Sequence, residues 1–209
     1  GSLAGLKRLY WHSQRFASTQ GIDSFAQKTR EIQAALGNEV HTSANLGGMH
    51  PFYWMHQAAF IESFKRKAMT LAWSEDYTYC MPEASRLVAD FEVAYLRKGA
   101  SYHDTPMQLY CMPHWPGITP EALLQNAVLE WGQNVKDLDF FCASPDTWST
   151  ENYVTYRGGL PVWKAIRAIS GMAGLIEDHL LPARTEPARI AMLLSESSDV
   201  WEIEGKGQW

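Results

Sequence analysis

Two carboxylates stand side by side at Glu75-Asp76, directly after the apolar stretch 69–74. Adjacent carboxyls at the end of a short buried segment suit the lining of a polar pocket, with Glu75 as a candidate carboxylate nucleophile. They suit solvated loop charges or a helix cap equally. Asn45 closes a second apolar stretch, where its amide can donate to a hydroxyl or cap the next turn. His114 follows a third, and a free pKa near about 6.5 fits a proton donor, as a structural histidine would also fit. Trp115 and Trp148 offer flat faces for sugar rings to stack on, and the same faces serve as hydrophobic lids.

Several other chemistries lack their residues. His50 and His56 are six positions apart, not the four of a helical zinc pair, and His41 with His50 is no better spaced, so no metal site is expected. No G-x-S-x-G elbow, G-x-G-x-x-G turn or G-x-x-x-x-G-K loop occurs, which removes the usual serine-hydrolase and nucleotide-binding signatures; no cofactor is expected. Cys80, Cys111 and Cys142 are an odd set without short spacings and read as free buried thiols.

Four short apolar stretches, 40–45, 69–74, 107–112 and 138–143, must position these residues. Each is too short for a helix and shows little alternation, as in strands of a parallel sheet covered on both faces. Helical patterns lie between them. Residues 21–36 open near Asp23 and Ser24 and stop at Gly37. Residues 53–67 carry Phe60, Ile61 and Phe64 on one face, and 82–98 carry Ala84, Leu87, Val88, Phe91 and Tyr95, ending before Gly99. Thr119-Pro120-Glu121 combines a cap, a first-turn proline and a dipole-favoured carboxylate, opening a helix to Trp131 with Gly132 as its stop. A long helix over 160–180 turns Ile166, Ile169 and Ile176 inward. Strands alternating with helices give an α/β fold with parallel strands and right-handed crossovers.

The proline-bracketed linker 181–187 is followed by a predicted strand over 188–194 and a polar loop or nascent helix over 195–209. The expected division is residues 1–183 as one domain and 184–209 as the linker and first strand of a second. Gly1-Ser2 reads as the remnant of a cleaved tag. The chain has 209 residues and a net charge of −5 with mixed signs, so no basic footprint for nucleic acid or an anionic membrane is expected. No apolar run approaches the roughly 18 residues of a membrane span. Nine Trp, nine Tyr and eight Phe favour a carbohydrate partner.

The order of segments resembles the second half of the barrel of glycoside hydrolase family 42, the β-galactosidase-type enzymes. Trp11-His12-Ser13-Gln14-Arg15-Phe16 is similar to a W-x-x-x-R-F segment before a helix, and His41-Thr42-Ser43-Ala44-Asn45 to the family's V-T-T-N strand end. Trp73-Ser74-Glu75-Asp76-Tyr77 resembles its S-W-D-x-Y strand end. Leu138-Asp139-Phe140-Phe141, with Trp148 and Glu151, resembles the eighth strand and the sugar-contacting glutamate after it. Arg189-Ile190-Ala191-Met192-Leu193-Leu194-Ser195-Glu196-Ser197 is similar to the opening strand of the family's next domain.

The resemblance implies a partial (β/α)8 TIM barrel, strands five to eight with their helices, in a fragment of a retaining hydrolase acting on β-linked saccharides. Under it, Asn45, Trp73, Asp76, Tyr77, His114, Trp115, Trp148 and Glu151 line the sugar site, and Glu75 is the carboxylate available for catalysis. Two departures stand out. The family's acid/base glutamate would precede Gly1, and Pro113 occupies the place of the nucleophilic glutamate in Met112-Pro113-His114-Trp115-Pro116-Gly117. Two alternatives follow: a catalytically inactive carbohydrate-binding relative, and a half-barrel that closes its unpaired edges by homo-oligomerisation.

Overall fold

The computed structural model describes residues 2–44, 57–75, 85–113, 117–141, 159–193 and 195–201. Helices α1 (Leu3–Thr19), α2 (Ile22–Leu36) and α3 (Gln57–Lys65) precede strand β1 (Ala72–Glu75). Then follow α4 (Ser85–Ala100), β2 (Met107–Cys111), α5 (Pro120–Gly132), β3 (Asp137–Phe140), α6 (Leu160–Leu180) and α7 (Glu196–Trp201). The strands form one parallel sheet in the order β1-β2-β3, with Ala72 opposite Met107, Glu75 opposite Tyr110 and Tyr110 opposite Asp139. The α/β class with parallel strands is therefore present.

One side of this sheet carries the core. Ala72, Met107 and Leu109 pack with Phe60, Phe64, Val93 and Leu96 of α3 and α4. Cys111, Leu138 and Phe140 pack with Leu123, Ala127, Val162 and Ile169 of α5 and α6. Two polar pairs lie within this apolar layer. Ser74 Oγ donates to Glu92 Oε1 at 3.1 Å, and the Cys111 thiol donates to Glu130 Oε2 at 3.2 Å. The expectation of little face alternation is corrected: burial alternates along β2 and β3, and among the described residues the helices pack on one side.

The inward face of α4 agrees with expectation in part. Tyr95 is buried and Phe91 packs against the core, as expected, but Leu87 is 78% exposed, and Ala89, Glu92, Val93, Leu96 and Ala100 are buried as well. Ala84 and the side chain of Val88 lie outside the described residues. Glu92 hid part of the buried face from a count of apolar residues; Ser74 donates to its carboxylate. Gly99 does not end α4 but lies inside it, where a Cβ would come within 2.5 Å of the Phe64 ring. Ile176 is also 37% exposed rather than inward. At the start of α2 the capping position is Gly21, not Asp23 or Ser24, while Thr119 caps α5 as expected, accepting from the Ala122 N–H at 3.1 Å.

Three helix-to-strand turns share one device. Lys67, Asp104 and Asn134 all have positive φ, at 52°, 51° and 77°. The next residue's N–H reaches back five residues in each case: Ala68 to the Ser63 carbonyl, Thr105 to Ala100 and Val135 to Glu130. These are Schellman-type closures without glycine. Helix α5 ends at Gly132, as expected, but the left-handed residue of the turn is Asn134 and not the glycine.

The stretch expected as the first strand is not one. Over 40–44, the Thr70 and Leu71 N–H groups converge on the single carbonyl of Thr42, at 2.9 and 3.1 Å. The Thr70 hydroxyl accepts from the Thr42 N–H, and Ser43 Oγ donates to the Leu71 carbonyl. Hydroxyls thus take the partners that a ladder would use, so the segment lies beside the approach to β1 without a strand's repeat. The sheet has three strands among the described residues instead of four. Residues 188–193 likewise form no strand; Ile190, Met192 and Leu193 are exposed and have no strand to pair with among the described residues. The segment from Trp11 to Phe16 lies inside α1 rather than before a helix, and Arg15 sits 5.3 Å from the Trp11 ring, one helical turn away.

Helices α2 and α3 are joined by charge. Arg66 reaches Asp23 and Glu62, both at 3.1 Å, and Lys65 reaches Glu62 at 3.2 Å. Burial pushes the Glu62 carboxyl up, but the bonds and charges of Lys65 and Arg66 outweigh it and hold the group below its ordinary value.

Two outcomes are expected. Gly99→Ala lowers unfolding free energy by about 1–3 kcal/mol through overpacking against Phe64, despite alanine's better helix propensity; chemical denaturation measures it. The stabilisation from Glu62 is present above the unfolded carboxyl's pKa and is lost as pH falls through the lower folded value. Comparing Glu62→Gln with the parent across acid pH should show a difference of about 1 kcal/mol or less that vanishes at the acid end.

Candidate functional site

The second side of the sheet carries a different set of residues. Side chains alternate along a strand, so Trp73 and Glu75 of β1, Gln108 and Tyr110 of β2, and Asp137 and Asp139 of β3 share it. None of them belongs to either core cluster. Glu75 is nevertheless only 6% exposed, while Trp73, Gln108 and Tyr110 are half-buried and Asp137 and Asp139 exposed.

Tyr110 stands at the centre. Its ring meets Trp73 edge-on at 4.8 Å between centroids and stacks on Phe141 at 5.8 Å. Asp139 lies opposite it on β3 and accepts a hydrogen bond from the Gln108 amide. Burial first, then the charges of Asp139 and Glu75, push the Tyr110 phenol above its ordinary value. The phenol keeps its proton through neutral pH, so its hydroxyl is available as a hydrogen-bond donor on a face that also carries carboxylates. Donor, acceptors and ring faces on one rigid surface are what a polyhydroxylated ligand requires.

Of the residues singled out in the sequence, the structure brings Trp73 and Glu75 to this face. Asn45, Asp76, Tyr77, His114, Trp115, Trp148 and Glu151 lie outside the described residues, as do Cys80 and Cys142. Pro113, two residues beyond β2, is buried, so no carboxylate occupies that position. Tyr110, Gln108, Asp139 and Phe141 were not anticipated as site residues. Their signal was available: Met-Gln-Leu-Tyr-Cys and Asp-Leu-Asp-Phe each alternate polar with apolar residues.

Among the described residues, no group of three or more His, Cys, Asp or Glu could hold a metal ion. No helix among them is long and apolar enough to cross a membrane. No protein-family model, curated protein or solved structure matches the chain.

The phenol offers a direct check. Asp139→Asn and Glu75→Gln should each lower the Tyr110 ionisation towards the ordinary value, read as the ultraviolet difference against Tyr110→Phe. The raised folded pKa of Tyr110 contributes stability below the unfolded value of about 10, and that stability is lost as pH rises through the folded one.

Proposed function

We propose that this chain handles carbohydrate as a glycoside-hydrolase-like protein, with the polar side of β1–β3 facing the sugar. The observation that carries the reading is the convergence of Glu75, Tyr110 and Asp139 with the rings of Trp73 and Phe141 on the side of the sheet opposite the two core clusters. Aromatic rings give sugars a stacking platform, and the carboxylates and phenol supply complementary hydrogen bonds.

The family-42-type barrel belongs to this proposal. Consecutive strands in the order β1-β2-β3, with helices packed on one side among the described residues, support a singly wound barrel over a doubly wound sheet, which carries helices on both faces. Functional groups in such barrels gather at the C-terminal ends of strands, where Glu75 lies. Retaining hydrolysis uses two carboxyls roughly 5 Å apart. Glu75 is the candidate nucleophile in place of Pro113, and Trp73 and Tyr110 hold the ring. Binding of β-linked saccharides without turnover is the second reading, favoured by the buried proline at the family's nucleophile position.

Calorimetry against β-galactosides and a glycan array test the shared claim. The expected result is binding that weakens roughly tenfold or more in Trp73→Ala, in line with the loss of a stacking contact. Turnover of an aryl β-galactoside abolished by Glu75→Gln selects the enzyme; binding with no turnover selects the inactive relative. Absence of affinity for every saccharide tested rejects both.

A further inference from the structure

A cavity of about 740 Å³ lies between the later turns of α4 and residues 184–192, beside the start of β2. That volume falls in the range of roughly 300–1,000 Å³ found for small-molecule pockets. Tyr95 and Met107 form part of the lining and are buried, at 5% and 2% exposure. Ile190 and Met192 line the facing wall and are 87% and 68% exposed, so their apolar surface lies open beside the cavity.

The charged lining is predominantly positive. Arg97, Lys98 and Arg184 line the space, and none of the three forms an ion pair among the described residues. Arg97 donates to Gln133 Oε1 at 2.8 Å and Arg184 to the Ala183 carbonyl at 3.1 Å, while the Lys98 ammonium lies 5.0 Å from the Tyr102 ring centre. These partners are neutral, and with Asp104 and Glu186 in the same lining the three cations leave a net charge of +1. Asp104 and Glu186 also line the cavity but form no ion pair with them. Lys136 lies outside the lining and ties down the chain that leads to it. Its ammonium donates to the carbonyls of Leu180 and Ala183, and burial followed by the charge of Arg184 holds it below the ordinary lysine range.

We propose that this cavity binds an amphipathic anion, a carboxylate or sulfonate on a hydrocarbon body. The body lies on Tyr95, Met107, Ile190 and Met192, and the head group meets Arg97, Lys98 and Arg184. Burial of exposed Ile190 and Met192 supplies the apolar drive, and unpaired cations supply selectivity for negative charge. This site stands apart from the sheet face and does not depend on the carbohydrate reading.

Calorimetry of the intact chain with decanoate, decanol and decyltrimethylammonium, each below its micellar concentration, tests it. The expected result is one decanoate per chain, bound about tenfold or more tighter than decanol, with no binding of the cation. Arg184→Gln and Lys98→Gln should each weaken decanoate about tenfold, and Ile190→Glu should weaken it further. Circular dichroism of each variant checks the fold, which these exposed positions leave intact. Equal affinity for decanol, preference for the cation, no binding at all, or decanoate binding unchanged in all three folded variants would overturn the proposal.

Discussion

One-sided packing of helices on a parallel sheet is the constraint from which the rest of this structure follows. Ala72, Ser74, Met107, Leu109, Cys111, Leu138 and Phe140 all face α4, α5 and their neighbours. A strand has period two, so burying those residues throws Trp73, Glu75, Gln108, Tyr110 and Asp139 to the other side. A slip of one residue would drive Glu75 and Tyr110 into the apolar layer and expel Leu109. The bonds Ser74–Glu92 and Cys111–Glu130 reinforce the choice of register. Each joins a strand to the helix that covers it, and a slipped register would strip a buried carboxylate of a partner.

How much of this was legible in the sequence depends on which signal each element used. Elements set by local rules were read well: the cap at Thr119, the stop at Gly37 and the span of α6 agree with the structure. The alternation of β2 and β3 was also present, in Gln108, Tyr110, Asp137 and Asp139, but short apolar runs invite a reading of full burial. Elements set by tertiary pairing were not legible. Glu92 looks like a surface residue until Ser74 is placed beside it, and Gly99 looks like a helix stop until Phe64 is packed against it. Residues 40–44 have strand composition, yet the hydroxyls of Thr42, Ser43 and Thr70 compete for the backbone partners that a ladder would need. For the site, Trp73 and Glu75 came from a strand-end pattern. The central role of Tyr110 depends on cross-strand neighbours, which only the register supplies.

The sheet face gains its chemical character from rigid elements rather than from loops. Tyr110 is held on a central strand between two ring contacts, with Glu75 and Asp139 opposite it on either side. Positions fixed in this way lose little freedom when a ligand arrives, which favours recognition by pre-organised hydrogen bonds. The phenol's retained proton adds a donor to a surface otherwise rich in acceptors.

Lys67, Asp104 and Asn134 close the three helix-to-strand turns by the same backbone bonds, each in a left-handed conformation that L side chains adopt at some cost. Two of them, Asp104 and Asn134, border the cavity beside α4. Its inner rim is thereby built from turns locked by their own main chain, whereas the outer wall is irregular chain that Lys136 holds only at its start, through the carbonyls of Leu180 and Ala183. Any breathing needed to admit or release a guest must come from that outer wall, and the spacing of the sheet would be untouched by it.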